Sequence, residues 1–69
     1  MGFSARNQMK GTVTSVKKAG VMAEVVVSVE GRNEIVAAIT AGSADNLNLS
    51  AGQEVTVIIK ATEVMVATG

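Results

Sequence analysis

Polar and apolar residues alternate along most of this chain, and the alternation predicts a series of short β-strands. The clearest case is residues 21–29, in which every odd position is apolar. Those positions are Val21, Ala23, Val25, Val27 and Val29. A period of two with one fully apolar face is typical of a strand that covers a core on one side. Valine is also β-branched and favours extended backbone, which strengthens the prediction.

Four other segments predict strands in the same way. They are residues 11–18, 34–40, 54–60 and 63–67. Ala19-Gly20 predicts a turn after the first strand. Residues 30–33 predict a four-residue turn that joins residues 21–29 and 34–40 in a hairpin.

The alternation breaks at residues 41–49, and this segment predicts one or two helical turns. Ser43 suits the N-cap, because its hydroxyl can accept a hydrogen bond from a free backbone N–H. Asp45 and Asn46 then fall in the first turn, where negative and polar groups are favourable.

These elements predict an all-β fold, a small five- to six-stranded barrel of the oligonucleotide/oligosaccharide-binding (OB) type with one short helical turn. We expect residues 1–69 to form a single domain. So short a chain buries a marginal core, and without disulfides it is expected to assemble as an oligomer. Val26, Val36 and Ala38 lie on nominally outer strand faces and indicate that another subunit covers them.

Composition excludes several classes of function. The chain has no Cys and no His, so it lacks the thiolate and imidazole ligands of metal sites and the commonest general base. Its hydroxyls therefore have no histidine to activate them, and its carboxylates are scattered, which predicts that it is not an enzyme. No long apolar run and no signal-peptide pattern is present, so we expect a cytoplasmic protein without membrane contact.

Nucleic-acid binding is also disfavoured. Six basic and six acidic residues give no net charge, and Phe3 is the single aromatic residue. Binding to nucleic acid depends on a basic surface, and single strands are commonly stacked on aromatic rings. A cold-shock-like nucleic-acid binder on the same barrel remains an alternative, and a single-strand binding assay at low salt would test it.

Three short segments carry hydrogen-bond donors that suit an oxyanion. The run from Ser4 to Gln8 combines a hydroxyl, a guanidinium and two amides. Residues 40–43 lead into the helical turn and bring two hydroxyls near free backbone N–H groups. Residues 60–62 add an ammonium group at the end of a strand. Taken singly, the three segments are equally compatible with a polar N-terminus, a helix cap and an exposed strand lysine.

In their order along the chain, these segments resemble the molbindins, or Mop proteins, which are small cytoplasmic molybdate-binding proteins of the TOBE/Mop-domain type. The matching segments are Ser4-Ala5-Arg6-Asn7-Gln8, Gly11, Ala23-Glu24-Val25-Val26, Ile39-Thr40 with Ser43, and the run from Val57 to Met65. The resemblance covers nearly the whole chain, and the Ser-Ala-Arg-Asn-Gln run is its specific part.

The resemblance implies an OB-type barrel, a homohexamer, and molybdate or tungstate bound through its oxygens at subunit interfaces, with no cofactor and no resident metal. Ser4, Ala5, Arg6 and Asn7 would contribute from one subunit, and Thr40, Ser43, Lys60 and Ala61 would form the other half of the site. Thr62 is added because a hydroxyl residue often follows the lysine closely in the family. Where some relatives carry Ser after the lysine, this chain has Ala61, which offers only its backbone N–H.

The implied function is intracellular molybdenum storage or homeostasis. The alternative is a molybdate-responsive regulatory or interaction module that acts on a protein partner. The resemblance also implies a second class of anion site, and our own hypothesis for its location is the turn around Gly20-Val21-Met22.

Overall fold

The computed structural model describes residues 7–30 and 33–68, which form one antiparallel sheet and two short helical elements. The strands are β1 (Asn7–Ala19), β2 (Met22–Val29), β3 (Glu34–Thr40) and β4 (Glu54–Ile59). Helix α1 (Ala41–Asn46) follows β3, and a 3₁₀ turn (Ala61–Glu63) follows β4. The strand order in the sheet is β3-β2-β1-β4. The small all-β fold expected from the sequence is therefore confirmed.

The core lies on the face that the alternation of β2 predicts. Val25, Val27 and Val29 are buried and pack with Val13 of β1. Partly buried apolar residues from β1, β3 and β4, together with Leu49, surround this cluster. Val21 is the exception to the predicted apolar face, because it lies in the turn before β2 and is 81% exposed.

A β-bulge in β1 explains how two valines at odd spacing both reach this core. Val13 pairs with Val27 and Ser15 pairs with Val26, so Thr14 is an extra residue on β1. A bulge of this kind shifts the phase of a strand by one residue. Val13 and Val16, three positions apart, can therefore both pack against the core.

The turn predicted before β2 and the hairpin predicted after it are confirmed. Ala19 pairs with Met22 across a turn in which Gly20 has a positive φ of 61°, a conformation that suits glycine. Ser28 pairs with Glu34 in the second hairpin, closed by a hydrogen bond of 2.9 Å from the Val29 N–H to the Asn33 carbonyl. Residues 31 and 32 of the predicted four-residue turn lie outside the described residues.

The structure corrects the predicted strand count. The described residues form four strands, where five to six were predicted. The strand predicted at residues 63–67 is wrong for the isolated chain, because Glu63 ends the 3₁₀ turn and residues 64–68 belong to no strand or helix. β3 and β4 lie at opposite edges and are not paired with each other in the described part of the chain, so the sheet is open.

Helix α1 is shorter than the predicted helical segment and begins differently. It ends at Asn46, with Leu47 as the C-cap, rather than reaching residue 49. Its N-cap is Thr40, not Ser43, because Thr40 still has the extended backbone of β3 and its hydroxyl accepts from the N–H three residues on. Across residues 7–30 and 33–68, no helix has the length and apolar character needed to span a membrane.

Candidate functional site

One corner of the sheet collects four of the predicted site residues. Asn7 is the first residue of β1 and pairs with Ile59, the last residue of β4. Lys60 follows directly and is exposed, and Ala61 and Thr62 form the 3₁₀ turn after it. We call Asn7, Lys60, Ala61 and Thr62 the lysine corner. The register of β1 and β4 thus joins two segments that are more than fifty positions apart in the sequence.

The lysine corner offers hydrogen-bond donors and one free positive charge. Lys60 forms no ion pair with a carboxylate of the described residues. A 2.9 Å hydrogen bond from the Glu63 N–H to the Lys60 carbonyl closes the turn. Ala61, as expected, can contribute only backbone, whereas Thr62 adds a hydroxyl. This combination suits an anion that accepts several hydrogen bonds.

Ser4, Ala5 and Arg6 lie outside the described residues. Their predicted roles therefore stay predictions. In the sequence they directly precede Asn7, which belongs to the lysine corner.

The second group of predicted site residues is fixed by the junction of β3 and α1. The Thr40 hydroxyl accepts a 3.1 Å hydrogen bond from the Ser43 N–H. The Thr40 hydroxyl also donates to the Ser43 hydroxyl at 2.8 Å. Both side chains are exposed. Because Thr40 donates its hydroxyl proton to Ser43, the Ser43 hydroxyl proton is the one left to donate outward.

The residues of the predicted second site lie beside this junction. Met22 pairs with Thr40, and the Ala41 N–H donates to the Val21 carbonyl at 2.7 Å. Their role in anion binding stays a prediction. The structure also brings Lys18 to this junction, since its ammonium group contacts the Asp45 carboxylate on α1. The sequence alone did not single out this residue.

Strand pairing does not bring Thr40 and Ser43 next to the lysine corner. Thr40 pairs with Met22, which lies at the Ala19 end of β1, whereas Ile59 pairs with Asn7 at its other end. β3 and β4 are also on opposite edges of the sheet. Within one copy, the described residues of the predicted site thus fall into two groups, at opposite ends of β1 and on opposite edges of the sheet.

An open groove of about 600 Å³ lies elsewhere, between β1, β2 and β4. Its polar lining includes Lys10, Glu30 and Glu54, and it contains no predicted site residue. Two carboxylates against one ammonium group disfavour a dianion there. Among the described residues, no group of three or more Asp or Glu side chains is placed to hold a metal ion.

Comparison with known proteins gives a consistent picture. The sequence matches the TOBE domain family over residues 4–66. It is 44% identical over 66 residues to molybdenum-pterin-binding protein 1 of Clostridium pasteurianum, covering 96% of this chain and 97% of that protein. It is 46% identical over 68 residues to the molybdenum transport protein ModE of Azotobacter vinelandii, covering 99% of this chain but 25% of ModE.

Solved structures show the same fold. A molybdate-binding protein from Sporomusa ovata superposes with a TM-score of 0.91 at 43% identity, over 99% of this chain and all of that one. The cytoplasmic molybdate-binding protein ModG, with molybdate bound, superposes with a TM-score of 0.84 at 44% identity, over 88% of this chain and 43% of ModG. These names describe binding and transport, and none describes an enzyme.

Proposed function

The chain belongs to the TOBE domain family and, within it, to the Mop proteins, and from this premise we propose that it binds molybdate, and tungstate with it. The anion is held through its oxygens by hydrogen-bond donors, so the site needs no resident metal and no cofactor. The observation that supports the proposal is the lysine corner, where the pairing of Asn7 with Ile59 brings Lys60 close to Asn7, the residue that follows Arg6 in the sequence.

The chemistry of the proposed site matches a tetrahedral dianion. Arg6 and Lys60 supply two positive charges, and the remaining residues supply hydroxyl, amide and backbone donors. The full set is Ser4, Ala5, Arg6, Asn7, Thr40, Ser43, Lys60, Ala61 and Thr62. Hydrogen bonds to charged groups each contribute about 1.5–3 kcal/mol, so a few of them suffice for firm binding.

The site is completed between copies of the chain. Thr40 and Ser43 lie at the opposite end of β1 from the lysine corner, which favours a site made from one end of one subunit and the other end of its neighbour. Val36 is 61% exposed on the outer sheet face and is available for such a contact. The assembly we propose is a homohexamer of single-domain subunits (residues 1–69). An anion that binds only the assembly would stabilise it by mass action.

The biological role we propose is molybdenum storage and homeostasis in the cytoplasm. The cytoplasmic assignment is supported by the similarity to ModG. Storage is the role that the family resemblance implies, and the similarity to molybdenum-pterin-binding protein 1 supports the binding on which that role depends.

Isothermal titration with molybdate tests the site. Arg6→Ala and Lys60→Ala should each weaken binding by about 10- to 150-fold, the loss of one charged hydrogen bond. Lys10→Ala is the matched control, because it removes the same charge from the groove and should leave the affinity unchanged. Unchanged affinity in both site variants would end the assignment.

The second candidate is a regulatory or interaction module. It is favoured by one observation: the match to ModE spans 99% of this chain but only 25% of ModE. Capture of protein partners with and without molybdate separates the two candidates. Retention of one specific protein only when molybdate is present would favour regulation.

A further inference from the structure

Helix α1 carries a carboxylate close to residues of the proposed anion site. Its six residues, Ala41–Asn46, include one charged side chain, Asp45, two positions after Ser43. Asp45 and Ser43 are both exposed. Because a helix rises about 1.5 Å per residue, an anion bound at Ser43 would lie about one helical turn from this carboxylate. That separation is comparable with the Debye length of about 8 Å in physiological salt, so the carboxylate would repel a dianion there.

Lys18 supplies the opposite charge at this position. It lies near the end of β1, and its ammonium group contacts the Asp45 carboxylate. This contact is the one ion pair in the part of the chain that the structure describes. The two charges of the pair largely cancel beyond their own contact, so the pair leaves no net negative charge beside Ser43.

We propose that Lys18 neutralises Asp45 and so allows molybdate to bind at Thr40 and Ser43. This role rests on the proposed function, since it presupposes that Thr40 and Ser43 contribute to the molybdate site. Lys18 acts on the anion through Asp45, without touching it. The ion pair therefore matters for binding even though exposed ion pairs contribute little to the stability of a fold.

The position of α1 does not depend on the ion pair. Ala44 is 2% exposed and anchors the helix in the interior. The Ala41 N–H donates a 2.7 Å hydrogen bond to the Val21 carbonyl, and the Leu49 N–H donates a 3.1 Å hydrogen bond to the Ala44 carbonyl. These contacts hold both ends of the helix without any charged group. Loss of Lys18 should therefore change the charge beside Ser43 and leave its place in the fold unchanged.

Direct contact between Lys18 and the anion is disfavoured by charge. The proposed site already contains Arg6 and Lys60, whose two positive charges match the two negative charges of molybdate. To reach the anion, the Lys18 ammonium group would have to leave the Asp45 carboxylate. The exposed carboxylate would then repel the anion, so the exchange would remove one attraction and create one repulsion.

Molybdate titration of three variants at low ionic strength tests this role. Lys18→Met leaves the Asp45 carboxylate without its partner and should weaken binding about 3- to 10-fold. Asp45→Asn leaves an extra positive charge and should strengthen binding. The double variant has neither charge and should bind as tightly as the wild type. At high salt the single variants should approach the wild-type affinity, because screening weakens the charge effect.

Lys17 and Glu24 provide a matched control. They are partners across β1 and β2, and neither belongs to the proposed site. Successive side chains of a strand point to opposite faces, so Lys17 lies on the other face of β1 from Lys18. Lys17→Met and Glu24→Gln change the net charge of the chain by the same amounts and should have little effect on affinity. Equal effects in the two sets of variants would show that net charge alone is responsible, and would overturn the inference.

The double variant separates the proposed role from the other two. If Lys18 contacted the anion, the double variant would bind as weakly as Lys18→Met. If the pair served to hold α1, Asp45→Asn alone would weaken binding. Either result would overturn the inference, as would unchanged affinity in Lys18→Met. The proposed function is read separately: wild-type binding that is weakened by Lys60→Ala would leave it standing in each of these cases, whereas a wild type that binds no molybdate would refute it.

Discussion

Gly11 packs so closely against Val27 that a β-carbon at position 11 would lie 2.6 Å from Val27 Cγ1 and 2.7 Å from the Ser28 carbonyl oxygen. Distances of this size are well inside van der Waals contact. β1 can therefore lie this close to β2 without rearrangement only if residue 11 is glycine. The packing of Val27 in the core cluster depends on this glycine.

Gly11→Ala should destabilise the protein by about 1–3 kcal/mol, because backbone or Val27 must shift to admit the added methyl group. Urea unfolding at fixed protein concentration measures this change. Gly42→Ala is the matched control: a β-carbon there meets nothing within 4 Å, and the residue lies in α1. Alanine favours helix over glycine, so this control should gain up to about 1 kcal/mol. Equal losses in the two variants would contradict the packing described.

Thr40→Val should also destabilise the protein, by about 1 kcal/mol, because valine keeps the shape of threonine but cannot accept the Ser43 N–H. Thr40→Ser retains the hydroxyl and should recover most of the loss. Thermal unfolding of the three proteins decides this. A valine variant as stable as the wild type would mean that the cap contributes nothing.

Lys18→Met should have little effect on stability. The pair with Asp45 is exposed, with half or more of each side chain open to solvent, and exposed ion pairs contribute about 0–1 kcal/mol. A double-mutant cycle with Asp45→Asn, at low and high salt, gives the coupling energy directly. A coupling above about 2 kcal/mol that persists at high salt would show that the pair is more than a surface contact.

The central strands could be predicted from the sequence because the alternation of polar and apolar residues is a local signal. Alternation in residues 34–40 predicts β3 with its observed bounds, and the prediction for β4 ends one residue late. β1 begins four residues earlier than predicted, since pairing with β4 extends it through a polar run that shows little alternation beyond Met9. The bulge at Thr14 had no local signal, because it follows from the need to bury Val13 and Val16 together.

The fifth strand and the site were harder to predict from the sequence, for a different reason. Residues 64–68 have the residue types of a strand, but a strand forms only where an edge is available to pair with it. The site residues were identified by family resemblance, and pairing of β1 with β4 explains why Asn7 and Lys60 come together. No rule read from one chain could have placed Thr40 and Ser43 at the far end of β1, since that distance depends on strand order.

Native mass spectrometry with and without molybdate tests most directly the claim that copies of this chain bind the oxyanion between them. The expected result is a hexamer that carries bound molybdate. At a molybdate concentration that just fills the wild-type sites, hexamers of the Lys60→Ala variant should carry less anion, and hexamers of the Lys10→Ala variant should carry as much as the wild type. Solitary chains that carry molybdate, or hexamers that carry none in excess ligand, would contradict it.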